Sequence, residues 1–467
     1  NTPNQIQLDI FEEQTTNKQE DEKTGRNNEE GDQVGENQRK RPNENDGKGV
    51  DRSHSDNNVN NETGSRGTIR TSSKSENSRR IVKNSRNNKG ERGVDYAPVS
   101  FGERYKANIN AIKVLKDLEQ SGRDVPTEAE AKILRQYSGW GGLGTMFNNN
   151  NSNNAIIREL LTEEEYEAAE LSINSAYYTP AYITDTLWDV ATKLGFKGGN
   201  ILESSAGIGN ILVQMPSAIS EKSNIEATEL DSISGNILRL LYPDAKVNVS
   251  GFEDTDVRPG TVDLAITNVP FVTGLSVYDS KNKDLSKKFK NIHDFFIAKN
   301  IRALKEGGIG IFISSNGTLD KSKALRNWIG NEAKADVIGA FRLNNETFQG
   351  AKVTSDIIIV RKRVAGQKHD NAIDISQTAV ERTTNFEGKQ TLVEYNSYFV
   401  DNPQFMAGEM KVAHEMGDTF RPYSLGVYPT QAKEQKQLLR EWLDSISDIA
   451  PSETSVETTE SKPNEAS

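Results

Sequence analysis

The chain has 467 residues, a formal net charge of −11, 34% hydrophobic residues and no cysteine. The lack of cysteine excludes a disulfide framework, a thiolate nucleophile and a cysteine-ligated metal, and it suits a reducing cytoplasm. The negative charge argues against a uniformly basic nucleic-acid binder, and no apolar run approaches bilayer-spanning length, so no membrane partner is expected.

Residues 1–95 consist of Asn, Glu, Lys, Arg, Gly and Ser with scattered single apolar residues. Such a stretch cannot bury enough apolar surface to offset its ordering entropy, and it is expected to be a disordered polar tail. Its segment 66–92 is basic: Arg66, Arg70, Lys74, Arg79, Arg80, Lys83, Arg86, Lys89 and Arg92 face only Glu76 and Glu91. An arm of this kind is either a non-specific phosphate contact or a solvated linker. The first residue is Asn rather than Met, as in a piece of a longer protein or a processed product. Residues 96–175 read as a helical section. Tyr105 to Leu118 has helical periodicity ending near Gly122. Thr127 with Glu130, and Thr162 with Glu165, have the spacing of capping boxes that open two further helices. Between them, Ser138-Gly139-Trp140-Gly141-Gly142-Leu143-Gly144 reads as a tight turn around a core tryptophan, and Asn148–Asn154 as a linker.

From residue 176 to 363 short apolar strands alternate with helices. Strands are expected at Asn200–Leu202, Ile225–Leu230, Lys246–Val249, Asp263–Ile266, Gly308–Ser314, Ala335–Phe341 and Asp356–Arg361. Helices are expected at Tyr182–Leu194, Gly209–Met215, Ser232–Leu241, Asn291–Leu304 and Lys323–Asn331. This alternation predicts an α/β fold with a doubly wound, mostly parallel sheet. The last strand follows a loop without a clear helix and is expected to insert antiparallel. Residues 364–449 read as a small C-terminal appendage ending in a helix near Gln431–Leu443, and 450–467 as a second disordered tail.

Three elements carry chemistry. Ile201-Leu202-Glu203-Ser204-Ser205-Ala206-Gly207-Ile208-Gly209 is a strand, an acid and a Gly-x-Gly turn. The glycines allow close backbone approach to a ligand, while Glu203 is unfavourable beside phosphate and suits a ligand bearing an ammonium group. Glu229 ends the next strand, where an acid holds ribose hydroxyls in nucleoside-binding α/β folds, and Asp231 reads as a helix N-cap. Asn268-Val269-Pro270-Phe271 follows an apolar strand. The Asn268 side-chain oxygen and the Val269 carbonyl could each accept one hydrogen of an exocyclic amine. That would free its lone pair, with Pro270 stiffening the loop and Phe271 stacking on an extruded base.

Together, Tyr177-Tyr178-Thr179-Pro180, Glu203 to Gly209, Glu229 and Asn268 to Phe271 resemble the motif series of γ-class N6-adenine DNA methyltransferases. More narrowly, with Trp140-Gly141-Gly142-Leu143, Gly251-Phe252-Glu253, Ile292-His293-Asp294, Arg342 to Asn345 and Tyr398-Phe399, the chain resembles the methylase region of large methylase–helicase proteins of phages, plasmids and conjugative elements. The resemblance implies a sheet of the S-adenosylmethionine-dependent methyltransferase type, S-adenosylmethionine as cofactor, DNA as partner, and a helicase or other mobile-element protein as a second partner. It places Asn268, Val269, Pro270 and Phe271 at the transfer site. It sets Tyr178, Thr179 and Pro180 at the cofactor's amino-acid end, Glu203, Ser205, Ala206, Gly207 and Gly209 around its methionine part, Glu229 on its ribose, and Phe252 and Glu253 near its adenine. No metal ligand is implied. The chain departs from the family pattern at Ser204 and Val269, where proline is usual, and at Gly251, where an acid often sits. His293-Asp294 reads as a structural helix start, and Arg342 as either a phosphate contact or a salt-bridge partner. Methyl transfer to RNA or protein, and a non-catalytic nucleic-acid-binding or anti-restriction role, remain as alternatives.

Overall fold

Continuous apolar runs such as Ile357-Ile358-Ile359-Val360 build a sheet covered on both faces. The computed structural model describes residues 90–174, 177–272, 275–384, 388–413, 424–430 and 433–447. The expected disordered tail 450–467, and the tail 1–95 except for residues 90–95, lie outside the described residues, as does the basic arm apart from Gly90, Glu91 and Arg92. Strands β1 (Asn200–Glu203), β2 (Asn224–Glu229), β3 (Lys246–Val249), β4 (Val262–Asn268), β5 (Leu304–Ser315), β6 (Ala335–Leu343) and β7 (Ser355–Lys362) lie in the order β3-β2-β1-β4-β5-β7-β6. The first five pair in parallel, and β7 is antiparallel to both β5 and β6. The connection 344–354 carries no helix, so it returns the chain without a parallel crossover, as expected.

Side chains alternate between two cores. Ile201, Leu264, Ile266 and Ile311 enter the first, beneath the N-terminal helices and the helix Gln435–Ser445. Leu202, Ala265 and Phe312 enter the second, beneath the helices Ile292–Ala303 and Lys323–Asn331. The core does not end at Arg363. Trp442 of the last helix packs on Phe341 of β6, with ring centroids 5.4 Å apart. Before that helix come two antiparallel hairpins, β8 (Thr378–Thr384) with β9 (Gln390–Asn396), and β10 (Glu409–Ala413) with β11 (Ser424–Tyr428).

Both capping boxes form, at Thr127/Glu130 and Thr162/Glu165. The stretch read as an asparagine linker instead starts a helix, Ser152–Leu160. The Asn151 side chain caps it by accepting from Asn153 N at 3.0 Å, the local bonding that makes asparagine a good N-cap. The helix expected over Gly209–Met215 shortens to one turn, Asn210–Val213, because Gln214 and Met215 lead into Pro216.

Candidate active site

Along the sheet the chain runs from β1 outward to β3, then crosses back to lay β4 beside β1. Such a switch point leaves a crevice at the carboxyl ends of the strands. Glu203 ends β1, Glu229 ends β2 and Asn268 ends β4, so the topology alone brings the three sequence elements together. They share a cavity of about 260 Å³. Tyr178, Thr179, Glu203, Ser205, Ala206, Gly207, Glu229, Phe252, Glu253, Asn268, Val269, Pro270 and Phe271 all line it. Pro180 does not; it starts the helix Ala181–Lys193, whose first N–H donates to Asp95 at 2.6 Å. Gly209 also lies outside the lining. Its φ of 91° and a neighbouring Tyr242 ring, 2.5 Å from where a Cβ would stand, restrict the position to glycine.

The cofactor-side loop is tied down through Glu229. One carboxylate oxygen accepts from Gly207 N at 2.7 Å and the other from Asp231 N at 2.9 Å. Ser204, in place of the usual proline, accepts from buried Asn300 at 2.8 Å, which satisfies its hydroxyl. Glu203 is 1% exposed, and its Oε2 has no hydrogen-bond partner. Burial, and then repulsion from Glu229, holds its carboxyl well above the usual range. Burial and Asp231 push Glu229 up to about 7, against the pull of the N–H groups that it accepts. Asp231 and Glu253 are raised as well, chiefly by burial. Among the described residues lining the cavity there is no Lys, Arg or His to offset these four acids.

At Gly251 a Cβ would stand 2.5 Å from Glu253 Oε1, so the Glu253 carboxylate occupies the space that a side chain at 251 would enter. Phe252 forms part of the wall, but its ring is 1% exposed, with Phe296 at 5.1 Å and Lys299 Nζ 4.5 Å from its centroid.

On the β4 side, Asn268 Nδ2 donates to Thr179 Oγ1 at 3.0 Å, which fixes the amide. Its Oδ1 is buried without a partner. Val269 N donates to Ile313 O at 2.9 Å, while the Val269 carbonyl accepts no hydrogen bond among the described residues. The loop therefore presents two acceptors, both uncommitted. Phe271 is half-buried, with its ring edge-on to Phe348 at 6.0 Å.

Sequence reasoning missed one wall. Tyr137, Ser138 and Gly139, from the glycine-rich turn of the N-terminal section, line the cavity. Asn108 fixes that turn by accepting from Ser138 N at 2.9 Å and donating to Gly139 O at 2.7 Å. The run of glycines was the available signal. Arg342 makes no phosphate contact: it is fully buried against Asp356 and Asp320. Trp140 is core, at 1% exposure, and His293 sits buried in the first turn of the helix Ile292–Ala303, outside the cavity lining.

The strand order, the reversed β7 and the acids at the strand ends define the fold of S-adenosylmethionine-dependent methyltransferases. Residues 154–348 match the family model described as Eco57I restriction-modification methylase. Defense against restriction protein B of Escherichia phage P1 is 28% identical over 269 residues, which are 56% of this chain and 10% of the relative. The chain thus spans about a tenth of the length of that curated relative. Among solved structures, the type I restriction-modification system methyltransferase subunit of Streptococcus thermophilus is similar at 12% identity and a TM-score of 0.36, over 58% of this chain and 84% of that one. A geranyl diphosphate methyltransferase in complex with S-adenosylmethionine is similar at 13% identity and a TM-score of 0.28, over 48% of this chain and 96% of that one. Among the described residues no helix is long and apolar enough to cross a membrane.

Proposed function

We propose that this domain methylates the N6 amine of adenine in DNA, with S-adenosylmethionine as donor. The observation that carries the reading is the pairing, in one cavity, of four carboxylates lacking a basic partner with an asparagine whose oxygen is buried and unbonded. A buried acceptor left unpaired costs about 1–3 kcal/mol, so its persistence points to a ligand that supplies the donor. The acids fit a ligand that carries positive charge. Glu203 and the Ser205–Gly207 backbone would face its amino-acid part, Glu229 its ribose, and Glu253, in the space over Gly251, its adenine. When bound, the cofactor supplies an electrophilic methyl group.

The chain's own residues prepare the acceptor. Asn268 Oδ1 and the Val269 carbonyl each take one N6 hydrogen, so the nitrogen lone pair leaves conjugation with the ring and becomes nucleophilic. Thr179 holds the amide so that its oxygen, not its nitrogen, faces the amine. Pro270 fixes φ, and Phe271 packs against the base. The methylated amine sheds its extra proton readily to water, so no strong base is needed and His293 has no part in the step. Similarity to restriction-modification methylases over residues 154–348 supports DNA as acceptor. Target choice and a helicase or other mobile-element partner would then belong to segments or proteins beyond this domain.

The test is transfer of label from S-adenosylmethionine to plasmid DNA, RNA or cell protein, beside Asn268→Ala. Label is expected in DNA adenine, falling about 100-fold or more in the variant. Label in RNA or protein would overturn the acceptor. Undiminished transfer by the variant would overturn the mechanism, and cofactor binding without any transfer would favour a non-catalytic role.

A further inference from the structure

The segment that follows the catalytic tetrapeptide has two faces. Leu275 and Val277 are buried and line the cavity, and Asp279 is fully buried. Ser276 and Ser280 are exposed, and Tyr278 is 62% exposed. This alternation is that of an extended chain, with successive side chains on opposite faces. Asp279 pins the register: it accepts from Lys299 Nζ at 2.8 Å, from Lys281 N and Asn282 N at 2.8 Å, and from Asn282 Nδ2 at 2.9 Å. With Val277 and Asp279 both held inward, Tyr278 cannot turn in, and a large aromatic ring is kept in water beside the site.

The exposed side chains that follow are mostly basic. Lys281, Lys283, Lys287, Lys288 and Lys290 are all exposed, against two acids, Asp279 and Asp284. Both acids are already neutralised, Asp279 by Lys299 and Asp284 by Arg302 at 2.8 Å. Lys281 and Lys288 lie near Asp256 and Glu332. Lys283 and Lys287 have no ion pair among the described residues. A local excess of cations in a chain of net charge −11 calls for a polyanion, and an aromatic ring among them suits one with bases to stack on.

We infer that the outer face of residues 276–288 is the nucleic-acid contact of this domain. Its lysines take the phosphates that flank the target adenine, and Tyr278 stacks on a neighbouring base while Val277, on the opposite face, walls the cavity. The inference rests on the proposed DNA acceptor and adds where the strand lies.

The experiment measures duplex DNA affinity of the full chain against salt, for the native protein, Lys283→Ala/Lys287→Ala, Tyr278→Ala and Asn268→Ala. Each lost phosphate contact removes about 0.7–0.9 from the slope of log affinity on log salt, so the double lysine variant should lose roughly 1.4–1.8. Tyr278→Ala should bind about ten-fold more weakly with the slope unchanged. Cofactor affinity and thermal melting should match the native protein in both, which separates lost contact from misfolding. Asn268→Ala should lose transfer yet keep the native slope. Native DNA methylation with unaltered slopes in the lysine variant would overturn this inference alone. Failure of the native protein to bind DNA would overturn it together with the proposed acceptor, as would lysine-dependent binding of RNA but not DNA.

Discussion

Two clusters of carboxylates withdrawn from solvent flank the same sheet, and they are handled in opposite ways. Asp356 and Asp320 meet Arg342, whose Nε and Nη2 donate to Asp356 at 2.7 and 2.9 Å and whose Nη2 donates to Asp320 at 2.8 Å. The guanidinium also lies 4.2 Å from the centre of the Phe399 ring, and Asp320 accepts from Asn396 N at 2.9 Å. Both carboxylates there share one guanidinium within the chain. Glu203 is buried and Glu229, Asp231 and Glu253 are half-buried, yet the cavity they line has no cation among the described residues. Buried charge in water-excluded protein is costly unless paired. A cluster that pairs internally is architecture, whereas a cluster left short of its counter-charge keeps a place for a ligand.

The comparison breaks most visibly at Arg342. Arg342→Met should leave fully buried Asp356 and the little-exposed Asp320 side chain without their cation and destabilise the protein by about 3–5 kcal/mol, read as a lower midpoint in urea. Below the unfolding transition, cofactor affinity should stay near the native value, because Arg342 does not line the cavity. A neutral result would mean that the two clusters are not different in kind.

Glu203→Gln should do the reverse. It removes a buried carboxylate that has an unpartnered oxygen, so the melting temperature should hold or rise. Affinity for S-adenosylmethionine, measured by calorimetry, should fall about 10–100-fold as a charge-assisted contact is lost. Stability loss without affinity loss would make Glu203 an architectural acid like Asp356.

The architectural half of this contrast was largely written in the sequence. Strands such as those at Leu264–Ile266 and Ile357–Val360 are unbroken apolar runs, and the missing helix before β7 predicted its reversal. Glu203 fell at a strand end because a turn rich in glycine follows it, and Glu229 because Asp231 caps the next helix two residues on. What stayed hidden depends on distant partners. Nothing near Ser138 shows that Asn108, thirty residues earlier, will fold the glycine turn over the cavity. Nothing beside Arg342 distinguishes a buried arginine from a phosphate-binding one until β7 brings Asp356 opposite it. Asn148–Asn154 looked like a linker because asparagine favours turns and helix caps alike, and only the packing of buried Asn154 and Ile157 decides between them.

The subtlest separation of the two clusters is by pH. Glu229 is raised to about 7, first by burial and then by Asp231. Its folded value lies above the ordinary carboxylate value near 4, so its contribution to the stability of the ligand-free protein is fully present in acid and fades as pH rises through 7. Cofactor binding should follow the opposite course. Ribose hydroxyls donate to the carboxylate form, and a cationic ligand favours that form further. Affinity should therefore rise as Glu229 deprotonates, by up to about ten-fold per pH unit below 7 and levelling above it. Calorimetry between pH 6 and 8, in buffers of different ionisation enthalpy, should show protons released on binding. Glu229→Gln should flatten the profile while binding more weakly at pH 8. A native profile that is flat, or that falls with pH, would mean that Glu229 is already charged before the ligand arrives. The cavity would then have to hold its counter-charge by some other means, and the contrast with the Arg342 cluster would disappear.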